Sequence, residues 1–182
     1  YEEKITEKDG KYFYTYEGEL KPVTENKETI KYQHEGKWQS KIFTVYSTHH
    51  GPVMAMMNGK WLSLKTNNRS LNGLMQSWQR IRTKSLSEFK TNLFLKANLS
   101  NNTVYADDKG NIAYWHGNYM PKRDSSYDWN EPVDGSVEAT EWKGMHMVDE
   151  LVQSINPASG WIQNCNGTPD SVAGKYSPSR KE

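Results

Sequence analysis

Ser70-Leu71-Asn72-Gly73-Leu74-Met75-Gln76-Ser77-Trp78-Gln79-Arg80-Ile81 is where this chain changes its period. Leu71, Leu74, Met75, Trp78 and Ile81 fall at spacings of three and four, which predicts a helix with one apolar face. A second helix follows at once. Ser85-Leu86-Ser87-Glu88 reads as a capping box, with the Ser85 hydroxyl accepting from the Glu88 backbone and Glu88 reaching back. Leu86, Phe89, Leu93 and Ala97 form its apolar stripe. Both stripes are read as core packing.

On either side of this helix pair the period is that of a strand. Upstream, Tyr12, Tyr14 and Tyr16 alternate with Phe13 and Thr15 until Gly18. Thr29 to Tyr32 and Lys41 to Ser47 are β-branched and aromatic segments joined through Glu35-Gly36-Lys37, so the first sixty residues predict a β meander. His49-His50-Gly51-Pro52 punctuates it before Val53 to Met57, and Asn58-Gly59 is a tight-turn dipeptide leading to Lys60 to Leu64. Downstream, Thr103 to Ala106 and Asn111 to His116 predict a hairpin closed by Asp107-Asp108-Lys109-Gly110. Residues 117 to 141 read as a long surface excursion and Met145 to Ile155 as a short helix stopped by Asn156-Pro157. The tail from Gly174 is expected to fray. The reading is therefore α+β, mainly antiparallel sheet with a helix pair, in one domain: a meander over 1–66, helices over 70–98, and a hairpin, long loop and terminal strand over 103–170.

Composition excludes several classes. With 23 basic and 22 acidic residues the net charge is +1, so no global field recruits nucleic acid or an anionic membrane. No run approaches the roughly 18 to 20 apolar residues of a membrane span. Hydrophobic residues are 35% of the chain, yet 7 Trp, 11 Tyr and 4 Phe supply large burial with a polar edge. The single cysteine, Cys165, cannot form an internal disulfide. It is read as a small buried residue on the inner face of a strand.

That strand is Gly160-Trp161-Ile162-Gln163-Asn164-Cys165-Asn166-Gly167-Thr168-Pro169. Side chains alternate along a strand, so Asn164 and Asn166 share a face, and Gly167 and Pro169 place Asn166 at the strand tip. An amide at such a tip can donate to a developing oxyanion. The competing reading is that both asparagines cap a turn through their own backbone.

Three motifs in order, Ser47-Thr48-His49-His50-Gly51-Pro52-Val53, then Val104-Tyr105-Ala106-Asp107-Asp108-Lys109-Gly110-Asn111-Ile112-Ala113-Tyr114, then Asn156-Pro157-Ala158-Ser159-Gly160 into the Asn164/Asn166 segment, resemble the β subunit of the penicillin acylase family. The similarity runs over roughly residues 10 to 170. It implies a segment of a four-layer αββα N-terminal-nucleophile amidohydrolase. It further implies Asn166 as an oxyanion-hole donor, Asn164 as its support, and a periplasmic or extracellular location. The partners implied are the remaining α and β subunit segments and a small N-acyl substrate. The family's nucleophile is the first residue of the β subunit, usually Ser, with its own α-amino group as base. Tyr1 does not substitute for it, so the chain is expected to be an internal piece without turnover of its own. No cofactor is expected. The structural calcium of some family members uses residues largely outside this segment.

His49 and His50 are adjacent, so on a strand they would face opposite sides and could not chelate one metal; the resemblance implies a structural role near the sheet for this His-Gly-Pro segment. In the Asp107 to Asn111 turn, glycine falls at the wrong place for a calcium loop and the twelfth position would be Asn118. Sequons at Asn68, Asn98, Asn101 and Asn166 are read as incidental. A different class of protein, a secreted aromatic-rich carbohydrate-binding or adhesion domain, would share the same composition.

Overall fold

The computed structural model describes residues 1–57, 59–66, 70–97, 101–117 and 119–166. They form two compact units. The first comprises Tyr1–Thr66 and Trp129–Glu141, and the second comprises Asn67–Asp128 and Trp142–Glu182.

The first unit is built from hairpins. Its strands are β1 (Glu2–Glu3), β2 (Ile5–Lys8), β3 (Lys11–Tyr16), β4 (Glu19–Pro22), β5 (Thr24–His34), β6 (Lys37–Thr48), β7 (Gly51–Met57) and β8 (Lys60–Ser63). Three two-residue connections, Asp9-Gly10, Glu17-Gly18 and Glu35-Gly36, have positive φ at both centres. That is the mirror-image turn whose twist suits flanking strands, and glycine at the second position makes it accessible. Strands β2, β3 and β4 form one antiparallel sheet, and a five-stranded sheet runs in the order β1-β8-β7-β6-β5. The expected segments at 29–32 and 41–47 are the middles of a longer ladder, from Thr24↔Ser47 to His34↔Lys37. Tyr12, Tyr46 and Trp61 pack ring on ring, 5.0–5.5 Å between centroids. The other turn dipeptide, Asn58-Gly59, includes a residue outside those described.

Part of the expected surface excursion is a buried strap of this unit. The Glu2 amide donates to the Val133 carbonyl at 2.8 Å and the Gly135 amide to the Glu2 carbonyl at 2.8 Å. Val133, Ser136 and Thr140 are buried. Polar side chains make this possible without a ladder. Asp134 accepts from the Ser136 amide at 2.8 Å, and the Thr140 hydroxyl donates to the Asp134 carbonyl at 2.7 Å, so the strap carries its own backbone partners.

The second unit contains α1 (Leu71–Arg80), α2 (Leu86–Leu93), and a sheet of β9 (Asn102–Ala106), β10 (Ile112–His116) and β11 (Gln153–Ile155) in the order β11-β10-β9. Mostly antiparallel sheets with two helices make the α+β class. Ser85 caps α2 by accepting from the Glu88 amide at 3.2 Å, but Glu88 reaches the Lys84 amide, one residue before the cap. The α2 stripe is core: Leu93, Ala113, Trp115 and Val148 cluster, with Leu86, Phe89 and Tyr105 packed against them. The Asp107 turn is a hairpin turn, its Oδ1 accepting from the Lys109 and Asn111 amides.

Two expectations fail here. The apolar stripe of α1 is exposed, with Leu71, Leu74, Trp78 and Ile81 at 66–78% accessibility. Its buried residue is Gln76, whose Oε1 accepts from the Ala97 amide at 2.9 Å. Periodicity shows that a helix has an apolar face, not that these residues cover it. The helix expected over 145–155 is instead a single 3-10 turn, Val148–Glu150, followed by β11. Pairing with β10 at Ala113↔Ile155 and Trp115↔Gln153 overrides the weak local preference.

Candidate functional site

Asn164 and Asn166 are both exposed, and the segment carrying them is not a strand. An extended segment becomes a strand only where a neighbour takes its hydrogen bonds, and among the described residues the last ladder partner is Ile155. Asn164 Oδ1 accepts from the Asn166 amide at 3.1 Å, an Asx turn, and also from Asn102 Nδ2 at 3.1 Å. Asn166 lies in the left-handed region at φ 57°. Asn164 thus fixes the corner and ties it to the start of β9, while the Asn166 carboxamide has no hydrogen-bond partner among the described residues. Cys165 is exposed, not buried as expected, because there is no inner face for it to occupy. Gly167 to Pro169 lie outside the described residues, as do the sequon asparagines Asn68 and Asn98.

Asn156, expected to stop a helix, instead follows β11 and holds a corner. With φ at 46°, its Oδ1 accepts from the Ile112 amide at 2.9 Å and its Nδ2 donates to Asn111 Oδ1 at 3.0 Å. It therefore pins the Asn156-Pro157 corner to the first residue of β10. The signal available in sequence was the Asn-Pro dipeptide, which marks a turn without naming what the side chain holds.

In the first unit a polar cluster forms around the histidine pair. Thr48 pairs with Gly51, so His49-His50 is the whole connection between β6 and β7. In a two-residue turn the alternation of a strand does not apply. The rings lie 3.8 Å apart, and both Nε2 atoms sit 2.9 Å from the same oxygen, Oε1 of Glu141. This overturns the expectation that they point apart. His50, fully enclosed, also contacts Glu3 Oε1 through Nδ1 at 2.9 Å and stacks on Tyr1 with centroids 3.7 Å apart. With both carboxylates ionised, the ring serves both only when each nitrogen carries a hydrogen.

The carboxylates are held from all sides. Burial alone would raise Glu3, but hydrogen bonds from His50, Ser63 and Thr48 outweigh it and hold its carboxyl below the usual range. Burial would likewise raise Glu141, and the Lys65 ammonium and His49 ring pull it down instead. His49 is pushed below the ordinary histidine value by burial, against the pull of Glu141. The second oxygen of Glu3, Oε2, is buried without a hydrogen-bond partner among the described residues. His49, His50 and Glu141 are a donor set that could hold a metal, their ligand atoms all within 4.8 Å of one another. Sequence reading missed Glu3 and Glu141, which lie far apart in the chain and carry no motif.

Comparison with known proteins decides the family. The penicillin amidase family model matches residues 1–181. This chain belongs to the penicillin amidase family. It is 29% identical over 157 residues to penicillin G acylase of Escherichia coli, covering 76% of this chain and 18% of that protein. It also superposes on the thermostable penicillin G acylase from Alcaligenes faecalis with TM-score 0.75 and 25% identity, over 93% of this chain and 30% of that one. The chain thus spans less than a third of either relative. Membership in the penicillin amidase family makes it part of a hydrolase family, and among the described residues no helix is long and apolar enough to cross a membrane.

Proposed function

We propose that this chain is a segment of an amidohydrolase that cleaves the amide bond of small N-acyl compounds, penicillins and acyl-homoserine lactones among the candidates. In this reading an N-terminal nucleophile supplied by another segment attacks the carbonyl and water resolves the acyl-enzyme. Asn166 donates its carboxamide to the tetrahedral oxyanion, Asn164 holds the corner, and the isolated segment does not turn over substrate. A single observation carries the assignment: Asn164 is engaged by Asn102 and the Asn166 amide, whereas the Asn166 side chain is exposed and without a partner among the described residues. The location would be periplasmic or extracellular. The remaining segments of the polypeptide would cover the exposed α1 stripe of Leu71, Leu74, Trp78 and Ile81.

The test is Asn166→Ala in the complete, processed protein. One donor of this kind is worth about 3 to 4 kcal/mol in the transition state, so kcat should fall about a hundredfold to a thousandfold with folding and processing intact. Near full kcat on a good substrate would overturn the role. The carbohydrate-binding alternative has less support: exposed Trp38 lies on β6, exposed Trp78 on α1 and exposed Trp161 in neither strand nor helix.

A further inference from the structure

We propose that His49, His50 and Glu141 form a binding site for a first-row divalent cation, with zinc the member their chemistry fits best. Two imidazole nitrogens and one carboxylate oxygen are the donors of a three-ligand zinc site that keeps its fourth position open. The ligand atoms are already gathered, each Nε2 lying 2.9 Å from Glu141 Oε1. Zn–N bonds of about 2.0–2.1 Å place tetrahedral ligand atoms about 3.3 Å apart, so a cation needs each imidazole–carboxylate contact to open by about 0.4 Å and the two imidazole nitrogens, which lie within 4.8 Å of each other, to settle at that same spacing.

The surroundings of the three donors match those of a metal ligand set. A ligating histidine commonly turns its other nitrogen to a carboxylate, which fixes ring and tautomer. His50 does so, with Nδ1 2.9 Å from Glu3 Oε1. That carboxylate is oriented in turn by the Ser63 and Thr48 hydroxyls. Lys65 engages Glu141 Oε2, which leaves Oε1 as the single donor facing the rings. Without a cation the His50 ring needs a hydrogen on each nitrogen to serve both carboxylates; a cation takes the place of the Nε2 hydrogen while Nδ1 still donates to Glu3. The site has access to solvent, the His49 and Glu141 side chains being 30% and 20% exposed.

The experiment uses the full polypeptide that carries this chain, stripped with chelator and returned to buffer containing excess Ca2+ so that hard-cation sites are filled. Titration with Co2+ should give visible d–d absorption of tetrahedral or five-coordinate intensity, saturating at one equivalent and bleached by one equivalent of Zn2+. His49→Gln and Glu141→Gln should each weaken Co2+ binding by roughly tenfold or more, as loss of a ligand does at least as much as loss of its support. His34→Gln, on the β5 strand, should leave it unchanged. Near-UV circular dichroism identifies which variants are folded, and His49→Gln, touching the more exposed partner, decides the matter if Glu141→Gln unfolds. Absence of a saturable one-equivalent spectrum, or a folded His49→Gln that binds Co2+ as tightly as the parent, would overturn the site and leave the cluster an ion-pair network.

Discussion

Gly51 is the position where a single methyl group tests the geometry of the histidine turn. A Cβ built there would lie 2.3 Å from the Leu64 carbonyl oxygen and 3.3 Å from its carbonyl carbon, at φ 131°. Ordinary contact begins near 3.4 Å, so β7 and the Leu64 segment would have to separate by about 1 Å. The obstacle is backbone, fixed by the Leu64 amide donating to Pro52 at 3.0 Å and by the Val53↔Ser63 pairing, so it cannot rotate away. Overpacking of this kind costs about 1–3 kcal/mol and an unfavourable backbone region about 1–3 kcal/mol more. Gly51→Ala should therefore destabilise by about 2–6 kcal/mol, a large share of the stability of an ordinary domain. Gly36→Ala is the control: it has positive φ, 73°, but open space around it, so only the backbone term of about 1–2 kcal/mol applies. Urea unfolding followed by tryptophan fluorescence measures both. If Gly51→Ala costs no more than Gly36→Ala, the close approach of the Leu64 carbonyl is wrong, and with it the placement of the His49-His50 turn.

Phe89→Ala should cost about 3 kcal/mol in thermal or urea unfolding, since Phe89 is partly buried with its ring 4.9 Å from Tyr105 and 5.8 Å from Trp115; an unchanged midpoint would show that the α2 stripe is not core. Burial pushes the His116 imidazole below 6.5. Its unfolded form therefore takes up a proton first, and the second unit should lose stability as pH falls through 6.5. NMR titration should show His116 below 6.5, and His116→Gln should flatten that part of the stability profile. Asn164→Ala should lower stability as well as rate, because it removes the acceptor shared by Asn102 and the Asn166 amide; a loss of kcat with an unchanged melting curve would place Asn164 in direct contact with the reacting group.

Much of the local structure was legible in the residues. The X-Gly dipeptides at 17–18 and 35–36 specify turns because only a few residue types accept positive φ, and that preference lies within the dipeptide itself. Ser85 before an apolar 3–4 spacing specifies the start of α2, because the cap bonds a backbone amide three residues away. The Asp107 turn is likewise closed by its own side chain. The family resemblance followed from short motifs in order, and the penicillin amidase match over 1–181 bears it out.

What tertiary structure decided is which partner each surface meets. The α1 and α2 stripes look alike in sequence, yet one is exposed and the other forms the core with β10. Residues 153–155 are a strand because β10 is beside them, while 161–165 have the alternation of a strand and no neighbour to complete it among the described residues. The histidine pair converges because a two-residue turn removes the strand's alternation and because the strap brings Glu141 back to residues placed far earlier in the chain. Turn and cap energies are set within a few residues and can be read from them. Burial, strand pairing and the meeting of charges depend on groups dozens of positions away, and no local pattern encodes where those will be.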